Sequence, residues 1–209
     1  MNKVNLVVAT TNQGKLKEIK AALEGLPVRI LSLKELNLNV DYREKGKTFG
    51  QNARGKSLFY SKLTSYLTLT EDSGLEVKAL GKAPGVFSAR FAGPEADDEK
   101  NIAKVLAQLR KVPPAERQAR FICYLCLAQK GKIIKCVRGE VRGWITKEKR
   151  GGHGFGYDPI FFYRPFGCTF GEIPASKKNL VSHRGRALRQ MRQFLEAFLG
   201  AAAKKKAAP

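Results

Sequence analysis

The chain has 209 residues, 43% of them hydrophobic, enough for one domain of ordinary size with a real core. Its 39 Lys and Arg against 18 Asp and Glu leave a formal charge of +21, a field that attracts nucleotides, nucleic acids and other polyanions. No apolar run reaches the roughly 20 residues of a membrane helix, and Met1-Asn2-Lys3 opens onto a strand pattern instead of a signal peptide, which predicts a soluble cytoplasmic protein without a membrane partner.

Val4-Asn5-Leu6-Val7-Val8-Ala9-Thr10 is nearly continuous in apolar side chains, as in a central strand covered on both faces. Turn chemistry follows in Thr11-Asn12-Gln13-Gly14, then a helix from Lys15 to Leu26 with Leu16, Ile19 and Leu23 on one stripe, stopped by Pro27. Strand, polar loop and helix make an anion site. Helix-start N–H groups, the Thr10 and Thr11 hydroxyls, the Asn12 amide and the Lys15 ammonium can jointly hold phosphate oxygens. The Walker pattern G-x-x-x-x-G-K-[ST] is absent. A second short strand and a polar loop fill Arg29 to Lys47, and Thr48 then caps a helix. Phe49, Ala53, Ser57 and Tyr60 share one of its faces and leave Asn52 and Lys56 on another, aimed at a ligand. Glu44, just ahead of that helix, is either a partner of its dipole or a metal ligand.

From Thr68 to Val77 an alternating apolar pattern breaks at Glu71-Asp72-Ser73-Gly74 and then resumes, which predicts two strand pieces flanking a tight turn at Gly74. Two carboxylates at a strand end can ligate a hard divalent cation or accept a proton from water. Gly81 to Gly85 reads as a loop, and Asp97 to Lys111 as an amphipathic helix with Ile102, Val105, Leu106 and Leu109 inward. Phe121 to Gln129 and Ile133 to Val141 form a hairpin through Lys130-Gly131-Lys132. Cys123 and Cys126 make a C-x-x-C inside its first strand, where an odd separation sends the two side chains to opposite faces. With only two histidines in the chain, all four cysteines (Cys123, Cys126, Cys136, Cys168) are read as buried structural residues.

Gly151 to Pro159 holds four glycines among aromatic and acidic side chains, the composition of a loop that touches something closely. There an exposed Phe155 can stack on a purine and Asp158 can accept from a base or from a neighbouring amide. Ser176 to Gly185 is read as a loop whose Lys178, His183 and Arg184 offer donors, ahead of a helix with Leu188, Met191, Leu195 and Phe198 inward. The Ala/Lys segment 200–209 is set apart from the fold as a disordered tail.

Seven short motifs, in this order, carry a resemblance: Thr10 to Lys15; Glu44 with Gly46 and Thr48-Phe49; Asn52-Ala53; Asp72-Ser73-Gly74-Leu75; Ala83 to Arg90; Phe155 to Pro159; and Ser182-His183-Arg184-Gly185. Over residues 1–199 the chain resembles the inosine triphosphate pyrophosphatases, the bacterial-type enzymes acting on non-standard purine nucleoside triphosphates. The resemblance implies a mixed α/β fold, a single domain in which a long central sheet flanked by helices joins two lobes around a deep nucleotide cleft, and a homodimer. It also implies Mg²⁺-dependent hydrolysis of ITP, dITP and XTP to the monophosphate and pyrophosphate, with no specific nucleic-acid partner.

Carried onto this sequence, Thr10, Thr11, Asn12, Gln13, Gly14, Lys15 and Ser73 bind the triphosphate with help from Lys56. Glu44 and Asp72 hold the metal, and Phe155, Gly156, Tyr157, Asp158, Lys178, His183 and Arg184 recognise the nucleoside. Asp72 is the catalytic proton acceptor, or else orients the water through the metal. Cationic or donor groups of His183 and Arg184 pair with the purine carbonyl and oppose the amine of adenine. Gln51 stands where bacterial members commonly have Glu, and Glu71 where Asp is frequent, which implies weaker metal affinity. Two rivals stay open: a pyrophosphatase preferring pyrimidine or modified bases, and a nucleic-acid binding module supported by charge alone.

Overall fold

The computed structural model describes the backbone of residues 3–207 and side chains as far as residue 201. Seven strands form one mixed sheet: β1 (Val4–Ala9), β2 (Val28–Ser32), β3 (Leu67–Val77), β4 (Gln118–Gln129), β5 (Lys132–Ile145), β6 (Phe161–Tyr163) and β7 (Cys168–Thr169). Their spatial order is β2-β1-β3-β4-β5-β6-β7, with β1 parallel to both neighbours and every later pairing antiparallel. This is the mixed α/β class expected from the sequence.

β1 is sealed on both faces, as its apolar run requires. Leu6 and Val8 pack with Leu16, Ile19 and Leu23 from helix α1 (Gln13–Ala22) and its C-terminal turn. Leu188, Met191 and Leu195 from helix α5 (His183–Ala207) join the same core. Val7 and Ala9 look the other way, toward Tyr60 at the end of helix α2 (Phe49–Tyr60). A separate core fills the far end of the long strands, where Ile102 and Val105 of helix α3 (Asp98–Gln108) meet Leu75, Phe121, Val141, Phe161 and Phe170. Each large side chain fully buried in these cores contributes about 1.5–3 kcal/mol. Truncating Leu125, which is wholly buried beneath α5, to Ala costs about 2–5 kcal/mol.

Three local readings need correction. β3 has no turn at Gly74: its residues pair without interruption from Thr68↔Ala128 to Val77↔Ala119. Gly74 serves close packing instead, because a Cβ there would collide with Ser88 Oγ and come within 2.8 Å of Phe49 Cε1. Glu71 and Asp72 therefore lie in mid-strand and point to opposite faces, not together at a strand end. The stretch 176–185 is not a loop, since it holds a short helix, α4 (Ala175–Val181), and the first turn of α5, capped by Ser182 Oγ accepting from Gly185 N at 3.0 Å. Nor are all the cysteines buried: Cys136 and Cys168 are partly exposed, and Cys126 and Cys136 form a disulfide.

Other elements match closely. Thr48 caps α2 through Gln51 N, Asp97 caps α3 through Lys100 N, and the β4–β5 hairpin turns on Lys130 and Gly131, both at positive φ. α1 stops at Ala22, short of the expected Leu26, and the chain leaves it through Gly25 at φ 83°. α5 carries helical backbone to Ala207, into the segment set apart as a tail; residues 208–209 of that tail lie outside the described residues.

Candidate functional site

β1 lies between two parallel partners. The chain leaves its carboxyl end for α1 and β2 on one side, while β3 flanks it on the other. Such a switch point opens a crevice between loops. Asn12 caps α1 there, its Oδ1 accepting from Lys15 N at 2.9 Å, and Thr10 Oγ1 accepts from Asn12 N at 3.2 Å. No acidic residue sits in the first turn of α1, so the positive end of its dipole keeps no counter-charge of its own there. Thr10, Thr11, Asn12 and Lys15 line a cleft of about 750 Å³ together with Glu44, Lys56, Asp72 and Ser73. Two residues of the expected phosphate loop do not line it. Gln13 is exposed, and Gly14 backs Phe155, where a Cβ would meet the ring at 2.8 Å.

On the α2 side of β3, Lys56 stands among carboxylates. Its Nζ contacts Glu44, lies 3.9 Å from Asp72 Oδ1 and reaches the backbone oxygen of Glu71 at 3.4 Å. Arg90 Nη1 holds the other oxygen of Glu44 at 3.3 Å. Burial disfavours the charge of Glu44, yet Lys56 and Arg90 prevail and hold its carboxyl below the usual range. Asp72 goes the opposite way: burial, reinforced by Glu44 and resisted by Lys56, pushes it up to about 6. Asp72 Oδ2 is buried with no hydrogen-bond partner. An orphaned carboxylate oxygen beside a second carboxylate suits a hard cation, so these residues fit the Mg²⁺ that the resemblance implies. Among the described residues no cluster of three or more His, Cys, Asp or Glu forms around it. That also suits Mg²⁺, which binds through one or two carboxylates and completes its shell with water and substrate phosphates.

Gln51 is exposed and takes no part: its Oε1 accepts from Lys47 N at 2.8 Å. Asn52, expected to face a ligand, is buried and accepts from Gly46 N at 2.8 Å, holding the loop that carries Glu44.

On the opposite face of β3 runs a buried chain of ion pairs. Glu71 accepts from Arg184 Nε and Nη2 at 2.8 and 2.7 Å and from Ser73 Oγ at 2.6 Å, with Lys15 Nζ at 3.4 Å. Arg184 Nη1 donates to Glu18 at 2.6 Å, and Lys178 Nζ donates to Glu18 at 3.1 Å and to Asp158 at 2.6 Å. Three cations face three carboxylates. Burial opposes the charges of Glu71 and Glu18, but their cationic partners win and both carboxyls are held below the usual range.

Asp158 is the exception, raised by burial despite Lys178. Its Oδ2 also accepts from Phe155 N at 3.0 Å, and Gly154 and Gly156 at positive φ let the loop close around it. Phe155 is half-buried, not exposed, with Lys178 Nζ and Arg184 Cζ at 4.8 and 5.2 Å from its ring centre. Tyr157 is core, its hydroxyl donating to Ser88 O at 2.8 Å. His183 stacks on Phe121 with centroids 4.6 Å apart, and its Nδ1 has no partner. Burial, then Arg184 and Lys178, hold its pKa well below 6.5, so the ring is neutral and offers a hydrogen bond, not a cation.

Phe155, Gly156, Tyr157, Asp158, Lys178, His183 and Arg184 line a hollow that meets the first cleft at Asn12, Ser73 and Ala89. The structure thus brings the two ends of the expected site side by side. Sequence reading missed Glu18, Arg90 and the pairing role of Glu71. Glu18 had a signal, a carboxylate beside the apolar stripe of α1 in a chain poor in acids. Arg90 stood in a quoted motif, but only the fold carries it to Glu44.

This fold and site define an α/β protein built to take a nucleotide-like polyanion. The model of the Ham1 family matches residues 6–194. The chain belongs to that family. It is 47% identical over 190 residues to the dITP/XTP pyrophosphatase of Geobacter sulfurreducens and 41% over 191 to that of Bacillus subtilis, in each case over 91% of this chain and 96% of the relative. Among solved structures, the Ham1 protein of Coxiella burnetii superposes with a TM-score of 0.85 at 37% identity, over 93% of this chain and 99% of the other. The Staphylococcus aureus Ham1 protein gives 0.83 at 36%, over 92% and 98%.

Proposed function

We propose that this protein hydrolyses ITP, dITP and XTP to the nucleoside monophosphate and pyrophosphate, with Mg²⁺ held by Glu44 and Asp72. The observation that carries the reading is the junction at Asn12 and Ser73, where a cleft lined by Lys15, Lys56 and Asp72 meets a hollow walled by Phe155 and His183. One nucleotide spans both. The names of the relatives, dITP/XTP pyrophosphatases, support the substrate class.

A triphosphate carries about four negative charges, which repel an incoming water. Lys15 and Lys56 offset them, while Thr10, Thr11 and Asn12 orient phosphate oxygens at the start of α1. When bound, Mg²⁺ supplies further neutralisation of those oxygens. With Oδ2 given to the metal, Asp72 accepts the proton of the attacking water through its other carboxylate oxygen.

At the other end the purine lies on Phe155. Arg184 has five N–H donors, of which four go to Glu71, Glu18 and Ser73. Lys178 has three, of which two go to Glu18 and Asp158. Each retains one for a purine carbonyl, the group hypoxanthine and xanthine carry where adenine has an amine. An amine there would face donors. On this reading the enzyme cleanses the nucleotide pool in the cytoplasm, as a homodimer.

A nucleotide panel with Mg²⁺, assaying pyrophosphate separately from orthophosphate, tests the proposal. Fast release of pyrophosphate from ITP and XTP with slow turnover of ATP, UTP and dTTP is expected. Orthophosphate as the first product, or preference for a pyrimidine triphosphate, overturns it.

A further inference from the structure

Cys126 and Cys136 lie on the α2 side of the sheet, outside the nucleotide crevice, and a bulge brings them together. The hairpin turn pairs Gln129 with Lys132 and Ala128 with Ile133; continued without a break, that register sets Cys126 opposite Lys135. The ladder instead shifts between Leu127 and Ala128, Ile134 is taken up as an extra residue, and Cys126 faces Cys136. Their Cα atoms are 4.2 Å apart and the sulfurs are bonded. Cys123 points to the other face, into the core beneath α5, and neither it nor Cys168 is bonded.

The two residues differ in exposure. Cys126 is fully buried under α2, where Ser57 Oγ donates to its carbonyl oxygen at 3.1 Å, while Cys136 is partly exposed on β5. A partly exposed cysteine with a buried one in bonding reach is the arrangement of an attacked and a resolving thiol. From this placement we infer that Cys126 and Cys136 form a reversible redox modification site, oxidised by a low-molecular-weight disulfide and reduced by the matching thiol.

The Cys136 thiolate attacks one sulfur of the small disulfide, whose S–S bond breaks and releases one thiolate. Cys126 sulfur then attacks Cys136 sulfur and expels the second thiolate, and the protons of the two cysteines pass to the departing groups. Two protein thiols and one disulfide become one protein disulfide and two small thiols. Reduction is the reverse, entering at Cys136. Both states stay folded, because the ladder on either side holds the hairpin whether or not the bond is present. The bond closes a loop with a sequence separation of 10, which raises the melting temperature by roughly 5–10 °C for a chain of this size.

The test equilibrates the native full-length chain with oxidised and reduced glutathione at graded ratios, quenches with acid, alkylates free thiols and digests with trypsin. A linked pair of peptides, 121–130 with 136–138, is expected to rise with the oxidised fraction, assigned by fragmentation to Cys126, and to vanish in excess reduced glutathione. The melting temperature follows it. Cys136→Ser removes both effects, while Cys123→Ala and Cys168→Ala keep them. Free alkylation of both cysteines at every ratio overturns the inference, as does a link through Cys123 or a bond that excess thiol leaves intact in the native protein. The peptide measurement on the unmodified sequence stands even if a variant fails to fold.

Discussion

Arg184 and Glu71 meet in a two-armed ion pair sealed inside the protein, Nε to Oε2 at 2.8 Å and Nη2 to Oε1 at 2.7 Å, with neither side chain more than 2% exposed. Both arms form because α5 begins against the face of β3 that carries Glu71 and Ser73, which ties the hollow at Phe155 and His183 to the strand bearing Asp72. Removing the Glu71 charge leaves Arg184, Lys178 and Lys15 with only the carboxylates of Glu18 and Asp158 to offset them. Glu71→Gln should therefore cost about 3–5 kcal/mol in unfolding free energy. The exposed pair Lys149–Glu99, at 2.6 Å, should lose no more than about 1 kcal/mol in Glu99→Gln. Urea unfolding of the two variants side by side checks the contrast.

His183 makes stability depend on pH in a known direction. Above the ordinary histidine value of 6.5, folded and unfolded chains both carry it neutral and it contributes nothing. Below 6.5 the unfolded chain binds a proton that the buried ring refuses. Stability then falls as pH falls, by up to about 1.4 kcal/mol per pH unit, until the depressed folded pKa is passed. Asp72, raised to about 6, pulls the other way in the same range, since the folded form gains the proton first. Comparing the parent with His183→Phe, which keeps the stack on Phe121, cancels that opposing contribution. Between pH 6.5 and 5 the parent should lose stability relative to the variant.

Gly14 and Phe155 form one device. Phe155→Ala removes the platform for the base and should weaken nucleotide binding by about 1–3 kcal/mol. Gly14→Ala places a methyl 2.8 Å from the ring and displaces it, so it should raise KM in the same direction with a smaller effect. Steady-state kinetics on ITP compares them.

Asp72→Asn should lower kcat by at least a hundredfold while binding of the nucleotide stays measurable, since Lys15, Lys56 and the purine hollow remain. Chelation of divalent ions should abolish turnover of the parent, and Mg²⁺ should restore it. Near-normal turnover by the Asn variant assigns the proton to another group.

Much of this was legible in the residues. β1, the capped start of α2, the amphipathic run of α3, the hairpin turn and the loop at Thr10 to Lys15 follow from apolar periodicity, capping residues and glycine, all local signals. The misreadings share a cause in packing across the chain. Glu71-Asp72-Ser73-Gly74 has the chemistry of a turn, but ten consecutive pairings with β4 and the approach of Ser88 to Gly74 hold it straight. Cys126 and Cys136 read as unrelated because the bulge that aligns them leaves no mark in the alternation. His183 looked like a possible cation, and only its burial beside Arg184 and Lys178 decides that it is neutral.

The most direct test of the central claim, that phosphates and purine occupy adjoining ends of one crevice, is the crystal structure of the chain with Mg²⁺ and a non-hydrolysable ITP analogue. The account predicts the base on Phe155, the phosphates between Lys15 and Lys56, and the metal ion against Asp72 Oδ2. A nucleotide seated instead over Trp144 and Arg142, in the hollow at the far end of β4 and β5, would contradict it.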